Sequence, residues 1–254
     1  MMKKIICIAS ILLLVYGCKS YYQIFEIESI KMIVNENNDF VFENDSVKIT
    51  YNFWAECGLL SFSIYNKLDK PLYIDWKKSS YIENSNKRDY WVDEEQANSA
   101  SFYGNYFYYG AYKSYGVSSS STTKVKIERI TFIPPKSKYN RCQFYLLPIS
   151  YYKLDKDLSF DEVQRQDKPK KNTKVYRINF TKESSPLVFR NFLAFSLTEN
   201  FKDEFYIDNE FYIETIKEIN EKHINVKSEK KGTAFFIFIP SNLGYSIEER
   251  KKAF

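Results

Sequence analysis

Few residues in this 254-residue chain can do acid–base or covalent chemistry. The single histidine is His223, beside Lys222. A Ser–His–Asp or Cys–His engine needs a histidine as its base, and a lone one in a charged stretch reads as structural. A carboxylate pair able to hydrolyse a glycoside would have to come from generic acids such as Asp75, Asp93, Glu94 and Glu95. Asp75 stands out because it closes an apolar run between Ile74 and Trp76, although its simplest role is to bond the adjoining turn. One histidine and scattered cysteines do not make a closed zinc site. The chain has no DxDxDG calcium loop and no GxGxxG or GxxxxGK[ST] phosphate loop. Neither a metal nor a cofactor is expected. The remaining constellation is a tract at 102–116, where Tyr103, Tyr106, Tyr108, Tyr109, Tyr112 and Tyr115 sit among glycines and small residues. Amphipathic aromatic faces stack on sugars and anchor protein partners. Tyr106, Tyr108 and Tyr109 are therefore candidate contacts to a ligand or partner, against the alternative of a strand and turn with one face in the core.

The N-terminus carries chemistry of another kind. Lys3 and Lys4 precede an unbroken apolar or small run over 5–15. At about 11 residues this has the length of a signal-peptide core and falls short of the roughly 20 that span a membrane. It ends in Val15-Tyr16-Gly17-Cys18, which resembles the lipobox of bacterial lipoproteins: Val15 the aliphatic residue, Gly17 the small one, Cys18 the acylated one. The resemblance implies that residues 1–17 are a cleaved signal and that Cys18 carries two or three acyl chains such as palmitate. Two chains suffice for stable anchoring. An ordinary secretory signal with an incidental cysteine is the alternative. Lys19 supplies neither the acidic residue that retains lipoproteins at the inner membrane nor the start of the acidic cluster of surface-exported ones. The expected location is the periplasmic face of an outer membrane.

Losing Lys3 and Lys4 with the leader takes the formal charge from +5 to +3, too little to argue for nucleic acid. The 22 tyrosines and 21 phenylalanines favour strands and supply core volume. Cys7 leaves with the leader, so Cys57 and Cys142 are the remaining thiols, in an oxidising compartment. A bridge would close a loop of about 85 residues, worth about 4–5 kcal/mol by chain entropy. Two free thiols are equally compatible with the sequence.

Period-2 alternation predicts strands near 22–34, 46–54, 57–65, 72–76, 124–133, 141–147, 175–180 and 187–197, with a buried apolar strand at 233–239. The spacing is that of an antiparallel sandwich. Residues 83–100 read as loop. Ile213, Ile216, Ile219 and His223 or Ile224 recur at helical spacing, which predicts a helix over 209–224 capped by Asp208 or Asn209. The expected fold class is mainly β: an antiparallel immunoglobulin-like sandwich over 18–150, a charged loop or linker over 151–173, and an α+β extension over 174–254 packed on the same domain. Lys168 to Lys171, around Pro169, reads as a solvated basic loop, with phosphate or lipid-headgroup attraction as its second reading.

The stretch YNFWAECGLLSFSIYNKLDKPLYIDWKKSSYI at 51–82, with its Asn-x-x-x-x-Pro-Leu-Tyr-Ile-Asp-Trp core, resembles lipoproteins of Bacteroidetes type, as does ERITFIPPKS at 128–137. The resemblance implies a β-rich extracytoplasmic domain and brings no catalytic residues with it. The expected function is a non-enzymatic binding or structural role at the envelope, toward an envelope protein or a glycan. The alternatives are a carboxylate-dependent hydrolase of glycans and an inhibitor or immunity lipoprotein. Replacing Cys18 with serine should move the protein from the membrane to the soluble fraction of lysed cells. Unchanged fractionation would remove the anchor.

Overall fold

Alternation with aromatic and β-branched residues on one face produces what it should: strands. The computed structural model describes residues 20–91, 128–147, 151–154, 158, 160–226 and 231–240. Two antiparallel sheets, neither closed into a barrel, hold all the strands among them. The smaller sheet runs β10 (Lys138–Tyr145), β5 (Leu59–Asn66), β4 (Val47–Asn52), β3 (Phe40–Glu43), β2 (Ile33–Val34).

The larger sheet has ten strands built on β14 (Glu204–Asn220), a 17-residue spine. One edge of β14 takes β12 (Asn172–Asn179) and then β13 (Val188–Ser196), end to end. The other edge takes β1 (Tyr21–Glu28) along the C-terminal half of β14. β15 (Ala234–Ile239) lies outside β1, and β11 (Phe160–Gln164) outside β12. Outside β13 lie β6 (Leu72–Asp75) and β7 (Ser80–Glu83), which in turn pair with β9 (Ile130–Ile133) and β8 (Asn86–Asp89). The C-terminal strands thus interleave with the N-terminal ones in one sheet.

The sheets meet across an aromatic layer. Phe211 of β14 lies 5.0–5.5 Å, centroid to centroid, from Tyr51, Phe53, Phe40 and Phe189. A polar knot crosses the same layer. Asn191 and Asn209 face each other across β13 and β14, and both side-chain amides donate to the Tyr51 hydroxyl of the smaller sheet, at 3.0 and 2.9 Å. The Tyr90 hydroxyl donates to Asn191 Oδ1 at 2.7 Å. All four residues are buried. Burial drives the Tyr51 hydroxyl's pKa far above its ordinary value, the two amides opposing that weakly, so it stays neutral. Tyr81 is as deeply buried, yet its hydroxyl has no hydrogen-bond partner among the described residues.

Local backbone choices fit the frame. The β7–β8 hairpin turns on Asn84 and Ser85, both with positive φ (43° and 73°), as a two-residue turn matched to strand twist requires. Gly58 has φ 66°, and a Cβ there would lie 2.8 Å from Phe235 Cγ.

The α+β extension is not what the C-terminal region forms. The helix expected over 209–224 is the strand β14, followed by a three-residue 3-10 turn at Glu221–His223. A bulge explains the misleading spacing. Glu26 lies opposite Thr215 and Ile27 opposite Ile213, so Glu214 is an extra residue that shifts the alternation by one. Ile213 and Ile216 then both point into the core, three apart. The expected linker over 151–173 contains β11, whose five residues are all exposed. The loop at 83–100 contains β8, equally exposed. Edge strands that bury nothing carry no alternation to read.

Tyr51→Phe should cost about 1–3 kcal/mol, because two buried amides lose their acceptor, whereas Tyr81→Phe should cost nothing or stabilise slightly. Urea denaturation at constant m separates the two; equal losses would mean that the knot contributes nothing.

Candidate functional site

Asp75, the carboxylate the sequence singles out, sits at the end of β6 with 1% of its surface exposed. Arg129 grips it with two bonds, Nε to Oδ1 at 3.2 Å and Nη2 to Oδ2 at 2.7 Å. The Lys77 amide donates to Oδ1 at 2.9 Å. Its backbone carbonyl accepts from the Ser79 hydroxyl at 2.7 Å, and the same hydroxyl accepts from the Ala194 amide. Asp75 therefore builds the turn that carries the chain from β6 to β7. His223 is also structural: its Nδ1 lies 2.6 Å from Thr173 Oγ1, and its carbonyl accepts from the Gln166 amide.

Cys57 and Cys142 are free thiols. Cys142 lies opposite Ser61, whereas the Cys57 carbonyl pairs with Leu147 further along the same ladder. Cys57 lies in the turn that leads into β5, four residues before Ser61. The two thiols are not bridged in this structure. Cys18, Asp93, Glu94, Glu95 and the tract with Tyr106, Tyr108 and Tyr109 lie outside the described residues. Among the described residues no three His, Cys, Asp or Glu side chains are grouped to hold a metal.

The structure assembles a different surface, on the outer face of β13 and the first half of β14. There Phe192 and Arg190 stand opposite Asp208 and Glu210, while Ser196 and Ala194, opposite Glu204 and Tyr206, are buried. Phe192 and Tyr206 stack at 5.3 Å and 22°, and Tyr206 is 53% exposed. Arg190 holds Asp208 with two bonds, at 3.1 and 2.9 Å. On the other flank Glu204 accepts from the Tyr206 hydroxyl at 2.6 Å and pairs with Lys78. The Lys78 ammonium also lies 5.7 Å from the Phe201 ring. At the end of this face the loop residues Thr198, Glu199 and Asn200 line an open depression of about 440 Å³.

Compared with family models, with curated proteins and with solved structures, the chain matches none.

The charges of this face are held in pairs. The Lys78 bond, aided by Tyr206, holds the Glu204 carboxyl below its usual range, and Glu204 in turn raises the Lys78 ammonium. Glycoside hydrolysis needs one carboxyl to carry a proton. Glu204 is ionised at neutral pH, Asp208 and Glu210 are paired with Arg190 and Lys182, and the buried Asp75 nearby has both oxygens engaged. What the face offers instead is an aromatic plate edged by fixed ionic pairs. The signal for it was in the sequence: Glu204, Tyr206, Asp208, Glu210, Tyr212 and Glu214 alternate with Phe205, Ile207, Asn209, Phe211 and Ile213. The isoleucine spacing further on obscured that alternation.

Burial, with Glu56 adding to it, pushes the Cys57 thiol up to about 11. Cys142 is exposed. In the chain carrying Cys18→Ser and lacking residues 1–17, iodoacetamide at pH 8 should label Cys142 in the native protein and Cys57 only after denaturation, since the thiolate is the nucleophile. Peptide mass spectrometry reads both sites, and equal native labelling would contradict the placement of Cys57.

Proposed function

We propose that this chain is a lipid-anchored cell-envelope protein with a non-enzymatic binding role, held through Cys18 at the periplasmic face of the outer membrane and engaging an envelope glycan through the Phe192–Tyr206 plate. The observation that carries the reading is the exposed Tyr206 ring, backed by Phe192 and flanked by the Arg190–Asp208 and Lys78–Glu204 pairs. A sugar ring presents C–H groups to an aromatic face and hydroxyls to the charged groups beside it, and Tyr supplies that contact at low entropic cost.

Position along β14 supports the same reading. Asn220, at one end of the spine, lies opposite Tyr21, the first strand residue after the anchor. Tyr206 lies 14 residues back along the strand, about 45 Å away. A chain fixed at Cys18 would hold the plate at the far end of the sandwich from the membrane, where a polymer lying above the lipid can reach it.

A glycan array with purified protein, paired with crosslinking in intact cells and mass spectrometry, tests the proposal. Binding to one glycan class is expected, weakened about tenfold by Tyr206→Ser with an unchanged melting temperature. A blank array for the wild-type protein, or equal binding by Tyr206→Ser, would overturn the glycan reading. A protein recovered as the crosslinked partner would replace it.

A further inference from the structure

The tip of the β11–β12 hairpin, residues 165–171, reads Arg-Gln-Asp-Lys-Pro-Lys-Lys. Register places it. Tyr176 of β12 and Gln23 of β1 both lie opposite Glu218. Asn172, four residues before Tyr176, therefore reaches past Asn220, the level at which β1 begins. Two hydrogen bonds hold the tip there: the Gln166 amide donates to the His223 carbonyl at 3.1 Å, and the Asn225 amide donates to Gln166 Oε1 at 2.6 Å. The turn after β14 is itself tied to the start of the described chain, Glu221 N to Ser20 O at 3.1 Å. Cys18 precedes Ser20 by two residues, a covalent reach of about 7 Å at most. The basic tip and the lipidation residue thus share one end of the sandwich, although some 150 residues separate them in sequence.

The charge at this end is not balanced. Lys168, Lys170 and Lys171 are exposed, and none of them makes an ion pair among the described residues. Elsewhere Lys48, Lys67, Lys136 and Lys182 all do. Of the neighbouring acids, Asp167 is held by Arg165, Nη2 to Oδ2 at 2.6 Å, which keeps its carboxyl below the usual range. Glu221, facing Tyr22, is offset by the adjacent Lys222. Glu162 lies on the β11 side of the tip, where Asn172 Nδ2 donates to it at 3.4 Å, and among the described residues the three lysines have no ion pair. Across β14 from the hairpin, Tyr22 of β1 and Phe238 of β15 are half-buried and 5.3 Å apart, side chains of the kind that sit at a membrane–water boundary.

We propose that this tip is a membrane-contact surface, with Lys168, Lys170 and Lys171 lying against the phosphates of anionic lipid headgroups. The proposal rests on the anchored reading of Cys18 for its biological setting, because the acyl chains bring this end to the bilayer. Its physics is separate: lysines near an anionic surface are attracted over about a Debye length, and a basic patch added to a lipid chain strengthens and orients the attachment. With this end down, β14 stands away from the membrane.

The test uses the chain carrying Cys18→Ser and lacking residues 1–17, so that no acyl chain contributes. It is sedimented at low salt with vesicles of phosphatidylglycerol and phosphatidylcholine in equal parts, and with vesicles of phosphatidylcholine alone. Partition onto the anionic vesicles is expected, falling as salt is raised and falling about tenfold or more when Lys168, Lys170 and Lys171 are all replaced by glutamine. These side chains are solvated, so the variant should melt with the wild type. Equal partition of variant and wild type, equal partition onto the neutral vesicles, or no partition onto either would overturn the proposal. Acylation is read separately, by fractionation of the full chain with Cys18→Ser. Failure of the anchor and failure of the basic tip are therefore distinguishable.

Discussion

One hydroxyl ties the smaller sheet to two adjacent strands of the larger one. Tyr51 comes from the smaller sheet, and Asn191 and Asn209 from adjacent strands of the larger one. Apolar contacts alone would let two aromatic faces slide, since a phenylalanine packs nearly as well one notch along. A buried amide has no such freedom, because leaving it unpaired costs about 1–3 kcal/mol. A one-residue slip between β13 and β14 would turn one asparagine away from the hydroxyl. The knot thus selects one register for the pair of strands that carries Phe192 and Tyr206 on its outer face.

The same knot reaches the region where the chain leaves the described sandwich. Tyr90 donates its hydroxyl to Asn191, and its carbonyl accepts from Arg141 at 2.9 Å. The Arg141 guanidinium lies 3.9 Å from the centre of the Trp76 ring, and the Trp76 indole nitrogen donates to Thr131 at 2.8 Å. Arg129, two residues before Thr131, closes on Asp75. The residues on either side of 92–127, the stretch holding the tyrosine tract, are therefore fixed to one wall by a continuous path of hydrogen bonds and cation–aromatic contacts. Surface ion pairs add little stability. Arg129–Asp75 differs because the carboxylate is buried and its other bonds go to backbone, so it sets geometry.

Much of the sandwich was legible because its inner strands obey period 2. Val47, Ile49 and Tyr51, and Leu60, Phe62 and Ile64, are inward as their alternation requires. The failures have physical causes. At β14 the bulge at Glu214 places two core isoleucines three apart, a spacing that a helix would also give. At β8 and β11 every residue is exposed, so pairing is dictated by backbone hydrogen bonds to a neighbour and leaves no mark on composition. The candidate site was hidden differently. Asp75 is conspicuous in sequence because aspartate interrupts an apolar run, and that is where a buried turn needs a carboxylate. Tyr206 is inconspicuous because its exposure is set by the strand opposite. Only the β13–β14 register brings it beside Phe192.

The length of β14 links the two ends of the molecule. An antiparallel sheet can be widened by adding strands, but its height is limited by the strands that run its full length. Here one strand does so, and shorter ones are laid along it in series: β12 then β13 on one edge, and β1 on the other, beside the end that holds the basic tip. The bulge at Glu214 falls where one partner set gives way to the next. It reverses which residues face inward, and so permits an apolar interior above and the Gln23–Glu218 contact below. Without that reversal, Thr215 and Lys217 would point into the core in place of Ile216 and Glu218. Lys217 instead pairs with Glu26 on the outer face. A strand of this length can therefore keep both halves packed only by changing phase once along its length, and that change is the feature that made it read as a helix.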